Sequence, residues 1–296
     1  MSHSWLQTTG PTDPGTPTHP VRAAAPSLTA MRHALFVPIF GDLADPVVVA
    51  HLAADAELAG WDGLFVWDHI AYRDVADIAD PWITLAAAAC ATEHLRLGPM
   101  VTPLPRRRPL KLAREVATLD RLTRGRVTLG VGIAGDNSRE LSATGEELSD
   151  RTRAAMLDEG LDLLEAAWAE GPTNHRGTHY VVDDLLTGPR PLQRPRPPIW
   201  VAIRYGNQAP IRRAARYEGV FPVQVEHPDQ LAEIVDLVRA ERTDPTAPYD
   251  VAVGGEVGTD PRSYEAVGAT WFLTSFSPFT VSAAEVRSAL EAGPPR

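Results

Sequence analysis

Residues 45–69 read DPVVVAHLAADAELAGWDGLFVWDH, and this stretch decides the fold. Asp45 followed by Pro46 is a helix start, an N-cap carboxylate with proline at the first helical position. The helix runs to about Ala59, and Gly60 is placed to stop it. Gly63 to Trp67 is then a short apolar run of β type. It ends abruptly in Trp67, Asp68 and His69. Ionisable residues at the carboxyl end of a buried strand are where α/β proteins place chemistry, although a polar strand exit is the plainer reading.

Working outward, the same alternation repeats. Strands are predicted at residues 34–39, 63–67, 95–101, 127–133, 198–203, 219–223, 249–253 and 269–273. Asp80-Pro81 repeats the cap-and-proline signal before a helix over 82–92. Pro109 opens another helix, with Leu112, Val116, Leu119 and Leu122 on its apolar face, and Gly125 ends it. Further helices are expected at 151–168, 208–217, 229–241 and 282–290. Eight βα units in residues 31–296 predict a TIM (β/α)8 barrel. An insertion follows strand four, with a β-type segment at 178–182. The seventh unit is short, because only residues 260–267 separate its strand from the next. A doubly wound open sheet is the alternative.

The bulk properties narrow the function. The chain has 296 residues, 38 acidic against 28 basic, and a net charge of −10. That excludes the basic stripe of a nucleic-acid scaffold, so no nucleic-acid partner is expected. No apolar run reaches the roughly 18 residues of a membrane span, and no membrane partner is expected. The single cysteine, Cys90, rules out an internal disulfide; its Ala-rich helical setting suggests core packing. Residues 1–30 are rich in Pro, Thr, Ala and Ser without a sustained period, and read as a flexible leader. They lack the long apolar segment of a secretory signal. A cytoplasmic protein is expected.

In a parallel barrel the strand carboxyl ends share one face, and that face defines the candidates. They are Pro38, Phe40 and Gly41; Trp67, Asp68 and His69; Met100, Val101, Thr102 and Pro103. Next are Gly132, Ala134 and Gly135; Arg204, Tyr205, Gly206, Asn207 and Gln208; Pro222 and Gln224; Gly254, Gly255 and Glu256. His69 suits hydrogen bonding, a proton shuttle or a metal, but no His-x-x-x-His or paired-Cys spacing accompanies it, so no metal site is expected. Gly130-Val131-Gly132 lacks dinucleotide-fold spacing; its glycines fit close backbone approach, to the barrel or to a flat ligand. Arg204 to Gln208 lies before a predicted helix and suits a phosphate, with an ordinary loop capped by Asn207 as the alternative. Arg106 to Arg108 reads as a solvated loop or a helix-adjacent ion-pair site. No Gly-x-Ser-x-Gly elbow or Walker A loop is present.

Several segments together resemble the bacterial luciferase-like superfamily of flavin-dependent oxidoreductases, which includes deazaflavin (F420)-dependent relatives. They are AGWDG (59–63) leading to WDHI (67–70), DPW (80–82), VTP (101–103) and KLAREVATLDRLTRGRVTLGVGIAG (111–135). After them come DEGL (158–161), PRPLQ (189–193), PPIWV (197–201), RAAR (213–216) and GATW (268–271). The similarity covers nearly everything from Met31 onward.

The resemblance implies a TIM barrel that binds FMN or F420 at the strand carboxyl ends. Asp68 and His69 would border the ring and the substrate, as catalytic candidates. Met100, Val101 and Thr102 would form a bulge behind the ring, where some relatives hold a non-proline cis peptide. Gly132, Ala134 and Gly135 would approach the cofactor's polar chain, and Arg204, Tyr205, Gly206, Asn207 and Gln208 would hold its phosphate. The implied activity is either a monooxygenase using reduced FMN from a separate flavin reductase, or F420-dependent hydride transfer, on a small organic substrate. A homodimer is expected. The sequence departs from the pattern at Tyr205, where relatives often have Gly-Gly nearby, at Pro99, and at Ala134, where glycine is common. These departures keep a non-catalytic flavin-binding protein on the same barrel as the alternative. A hydrolase using Asp68 and His69 lacks a metal or nucleophile motif.

Overall fold

The structure, a computed structural model, describes residues 30–206 and 209–295. Except for Ala30, the expected leader lies outside the described residues, as do Asn207 and Gln208. In chain order the elements are β1 (Arg32–Val37), α1 (Pro46–Leu58), β2 (Gly63–Val66), α2 (Pro81–Ala91), β3 (Arg96–Pro99), β4 (Thr102–Pro103), α3 (Pro109–Leu122) and β5 (Leu129–Gly132). They continue with α4 (Asp150–Trp168), β6 (Thr173–Arg176), β7 (Val181–Leu185), β8 (Ile199–Arg204), α5 (Ala209–Ala215), β9 (Gly219–Val223) and α6 (Pro228–Glu241). Last are β10 (Asp250–Glu256), α7 (Arg262–Glu265), β11 (Trp271–Ser275) and α8 (Ala283–Ala292).

Local chemistry accounts for the helix starts. The Asp45 carboxylate accepts from the Val47 N–H, and Asp80 accepts from Trp82 and Ile83, each just ahead of a proline. Ser149 and Ser282 cap α4 and α8 in the same manner.

The main sheet runs β3-β2-β1-β11-β10-β9-β8-β5-β4, and its paired strands are all parallel. β3 and β4 are successive halves of one strand, so the barrel closes on its third strand and has eight strand positions. This is the expected (β/α)8 barrel. The expected strand over 95–101 is broken: a cis Met100–Val101 peptide separates its halves. α7 is a single turn, as the short seventh unit anticipated.

The insertion after strand four differs in detail from its prediction. α4 is the barrel helix of that unit, tied to α3 by the Trp168 indole N–H donating to the Ala113 carbonyl at 3.0 Å. The added piece is an antiparallel hairpin, β6–β7. The expected segment at 178–182 falls mostly on its turn. Glu159 of α4 accepts the N–H groups of Thr178, His179 and Tyr180 at 2.6–3.0 Å, which holds that turn. The prediction for Cys90 also fails: it is exposed. In the Ala-rich α2 the apolar residues run nearly round the helix, so the sequence does not mark the buried face.

The core has two layers. Alternate residues of each strand face the helices, such as Leu35, Leu64, Leu97 and Val201. The others fill the bore: Ala34, Phe65, Met100, Trp200, Phe221, Ala252, Trp271 and Leu273. The Phe65, Trp200 and Trp271 rings pack with centroids 5.3–5.9 Å apart, so the bore is a packed core rather than a pore. Gly219 makes room for them, since a Cβ there would sit 2.4 Å from Trp200 Cδ1. No helix among the described residues is long and apolar enough to cross a membrane.

Candidate active site at the barrel mouth

The strand register carries one set of residues up to the carboxyl face of the bore. Phe36, Val101, Ala202 and Val223 sit on the bore cluster, half-buried. Phe36 packs on Trp67 at 5.6 Å between ring centroids. Gly132 points at Val101 and Ala202: an added Cβ would lie 3.0 Å from Val101 Cγ2 and 3.5 Å from Ala202 Cβ. At Gly254 a Cβ would approach nothing nearer than the Leu273 carbonyl, at 3.9 Å. The mouth therefore has aromatic residues, Phe36 and Trp67, and small residues, Val101, Gly132 and Ala202, with Gly254 two strands further round. The Trp67 indole N–H is buried with no partner among the described residues. An unpaired buried donor is costly, and so marks a place where an acceptor belongs.

The broken third strand contributes Val101. Met100 and Thr102 are buried. The break fits against β5 because position 130 is glycine: a Cβ there would lie 2.5 Å from the Pro99 carbonyl and 2.6 Å from Met100 Sδ. Below the break, the Thr102 hydroxyl donates to Asp68 Oδ2 at 2.9 Å.

That contact opens a buried charge network. The Asp68 side chain is 0% exposed. Arg107 Nη2 donates to both its oxygens at 2.7 Å, and Arg106 Nη2 donates to Oδ1 at 3.1 Å and to the Asp68 carbonyl at 3.2 Å. Arg106 Nη1 also donates to Glu140 Oε1 at 2.9 Å. Glu140, 4% exposed in its side chain, accepts the Ile70 N–H at 2.7 Å and the Ala71 N–H at 3.2 Å through the same oxygen. Its other oxygen, Oε2, lies 2.8 Å from His69 Nδ1. Two carboxylates thus face two guanidiniums, the balance that buried charge requires. Burial alone would push the Glu140 carboxyl up, but the His69 hydrogen bond and charge and the two N–H donors outweigh it. They hold the carboxyl at about 2.

His69 sits at the exposed end of this chain, inside a ring of aromatics. Tyr72, Trp67 and Phe40 lie 5.1, 5.6 and 6.3 Å away between centroids. Phe279 of the loop after β11 packs on Tyr72 at 5.8 Å. The His69 side chain remains 29% exposed.

The other sequence candidates divide. Arg204 and Gly135, from different strand ends, come together: a Cβ on Gly135 would lie 3.3 Å from Arg204 Nη2. Ala134 adopts φ +68°, the left-handed region that glycine enters freely. The preceding Ile133 carbonyl accepts from Arg153 Nε at 2.9 Å, which fixes the loop. Gly206, at φ +78°, makes the turn out of β8. Tyr205 points elsewhere: its hydroxyl donates to Glu233 Oε2 of α6 at 2.8 Å. The helix that follows, α5, has seven residues rather than the ten expected over 208–217.

Sequence reasoning missed Glu140, and left Arg106 and Arg107 between a solvated loop and a helix-adjacent ion-pair site; the structure shows the ion pairs. A signal existed for the arginines. An aspartate ending a fully apolar strand is buried and needs a cation, and the only basic cluster follows the neighbouring strand. Glu140 had no such signal, lying within a polar loop. A surface groove of about 520 Å³ lies between α2 and α3 on the outer wall, among Trp82, Ile83, Lys111 and Glu115. Its Lys111 and Glu115 pair with each other. It lies on the helical wall, away from the strand ends.

Comparisons with known proteins agree with this geometry. The chain is 39% identical over 141 residues to an F420-dependent glucose-6-phosphate dehydrogenase of Beutenbergia cavernae, covering 46% of this chain and 41% of that protein. It is 30% identical over 152 residues to the oxygenase component of a flavin-dependent trigonelline monooxygenase of Acinetobacter baylyi, covering 51% and 41%. The chain thus spans about two fifths of the length of these curated relatives. Among solved structures, the monooxygenase RslO1 of Streptomyces bottropensis superposes with a TM-score of 0.67 at 23% identity, covering 89% of this chain and 80% of that one. An F420-dependent secondary alcohol dehydrogenase superposes at 0.72 with 18% identity, covering 83% and 93%. These two likenesses are of fold. The model of the luciferase-like monooxygenase family matches residues 16–293, nearly the whole chain, and with the barrel described above it establishes that the chain belongs to that family.

Proposed function

We propose that this chain is an oxidoreductase that binds the ring of FMN or F420 across the carboxyl face of its barrel and acts there on a small organic substrate. The small residues of the mouth carry this reading. Val101, Gly132 and Ala202 lie together at the mouth, and a side chain at Gly132 would close against the other two. When bound, the cofactor supplies hydride or oxygen chemistry.

The protein's own residues then have distinct tasks. The Met100–Val101–Thr102 break shapes the wall behind the ring. Gly132, Ala134 and Gly135 let backbone approach the cofactor's polar chain. Arg204, beside Gly135, meets its phosphate, with Gly206 turning the chain away. His69 takes or gives a proton next to ring and substrate. Asp68 changes role from the sequence reading: with its oxygens held by Arg106, Arg107 and Thr102, it positions its neighbours rather than reacting. Tyr72 and Phe279 border the substrate's side. A relative named as an oxygenase component supports a separate flavin reductase as partner in the FMN case, and a homodimer belongs to the same reading.

The test is an anaerobic titration of the purified protein with reduced FMN and with F420, followed by fluorescence. Saturable binding of one of them is expected. Binding of neither would sink the oxidoreductase reading. Binding without turnover across a substrate panel would favour the non-catalytic alternative.

A further inference from the structure

We infer that Glu140 is a positioning residue for His69: it fixes the imidazole as the Nδ1–H tautomer and leaves the Nε2 lone pair at the barrel mouth. This deepens the proposed function and rests on it for the proton-handling role of His69.

Three observations carry the inference. Glu140 Oε2 lies 2.8 Å from His69 Nδ1, while Oε1 is occupied by Arg106 and the N–H groups of Ile70 and Ala71. An ionised carboxylate only accepts hydrogen bonds, so the proton of this contact belongs to Nδ1. The Oε1 donors keep Glu140 ionised and stop it from rotating away from the ring. His69 Nε2 has no hydrogen bond among the described residues and is not among their buried unsatisfied atoms, so it is the nitrogen open to the mouth. Finally, Phe40, Trp67 and Tyr72 surround the imidazole and restrict its ring flip.

The chemical consequence is a fixed direction for the proton. Nε2 accepts it, Nδ1 keeps its own, and the resulting imidazolium is stabilised by the Glu140 carboxylate. Arg106 extends the arrangement, since one guanidinium joins Glu140 to Asp68, and Asp68 accepts from Thr102 just beyond the strand-three break. The wall of the proposed ring site and the proton-handling imidazole thus hang on one buried chain of contacts.

The tautomer is readable by nitrogen-15 NMR of histidine-labelled full-length protein at alkaline pH, with a His69→Gln sample to assign the resonance. No flavin is needed, so a failure to bind FMN or F420 is seen separately. Wild type is expected as Nδ1–H. In Glu140→Gln the carbonyl oxygen stays under the three Oε1 donors and the NH2 turns to Nδ1, which should switch the ring to the Nε2–H form; Glu140→Leu offers neither and should yield a mixture of tautomers. Nε2–H in the wild type, or an unchanged Nδ1–H in Glu140→Leu, overturns the inference. Should the leucine variant fail to fold, the wild-type and glutamine spectra still decide, because Nε2–H in the wild type or an unchanged Nδ1–H in Glu140→Gln contradicts the role.

Discussion

Arg107 holds both carboxylate oxygens of Asp68 at 2.7 Å through a single Nη2, and Asp68 is closed to solvent. The relationship reverses the simplest reading of the Asp68-His69 pair. Two adjacent ionisable residues at one strand end do different work because successive strand residues point to opposite faces. Asp68 turns toward the arginines after the third strand, and His69 turns toward the mouth.

Removing the Asp68 carboxylate should therefore cost stability before it costs chemistry. Asp68→Ala leaves Arg107 without its buried partner and Arg106 with Glu140 alone, a loss of about 3–5 kcal/mol. Urea unfolding of wild type and variant measures it. A loss below about 1 kcal/mol would mean that the network does not hold the fold, and would return Asp68 to the list of reacting groups.

Acid should dissolve the Glu140 contacts in a defined window. The folded carboxyl titrates at about 2 against 4.5 for an ordinary glutamate. A depressed folded value contributes stability that is fully present above the unfolded value and is lost as pH falls through the folded one. Screened by solvent, the contribution is about 2 kcal/mol. The stability gap between wild type and Glu140→Gln should close as pH falls from about 4.5 toward about 2. Denaturant midpoints across that range check this. A gap that stays constant to the lowest pH would refute the assignment.

What could be read from sequence was local, and what could not was tertiary. Asp45-Pro46 and Asp80-Pro81 announce their helices because the cap and the capped N–H lie two or three residues apart. Eight strand exits follow from the alternation of patterns. The break at Met100–Val101 is invisible to periodicity, since residues 95–101 read as one apolar run; it depends on Gly130, thirty residues away, having no side chain. The hairpin turn depends on Glu159 in a different element. The site shows the same division. His69, Arg204 and Gly135 were legible as strand-end residues, yet nothing local says that Arg204 and Gly135 meet while Tyr205 turns to Glu233. Arg106 reaches Asp68, and Glu140 reaches His69, across gaps of more than thirty residues, and only the closed barrel brings them together.

Arg204 offers the sharpest test of how the mouth would hold a cofactor. Its guanidinium lies against Gly135, so a phosphate there would be met by a fork of donors. The wild type should bind FMN more tightly than riboflavin, which shares the ring and lacks the phosphate. Arg204→Ala should weaken FMN by about tenfold to a hundredfold, the loss of a charged hydrogen-bonding partner worth about 1.5–3 kcal/mol, while riboflavin affinity stays as it was. For F420 the same substitution should weaken binding in proportion to the phosphate's share of the contact. Fluorescence titration of the three ligands against both proteins separates the contributions of tail and ring. An FMN dissociation constant unchanged in Arg204→Ala would remove Arg204 from the phosphate site. Equal weakening of FMN and riboflavin would instead place its influence on the ring.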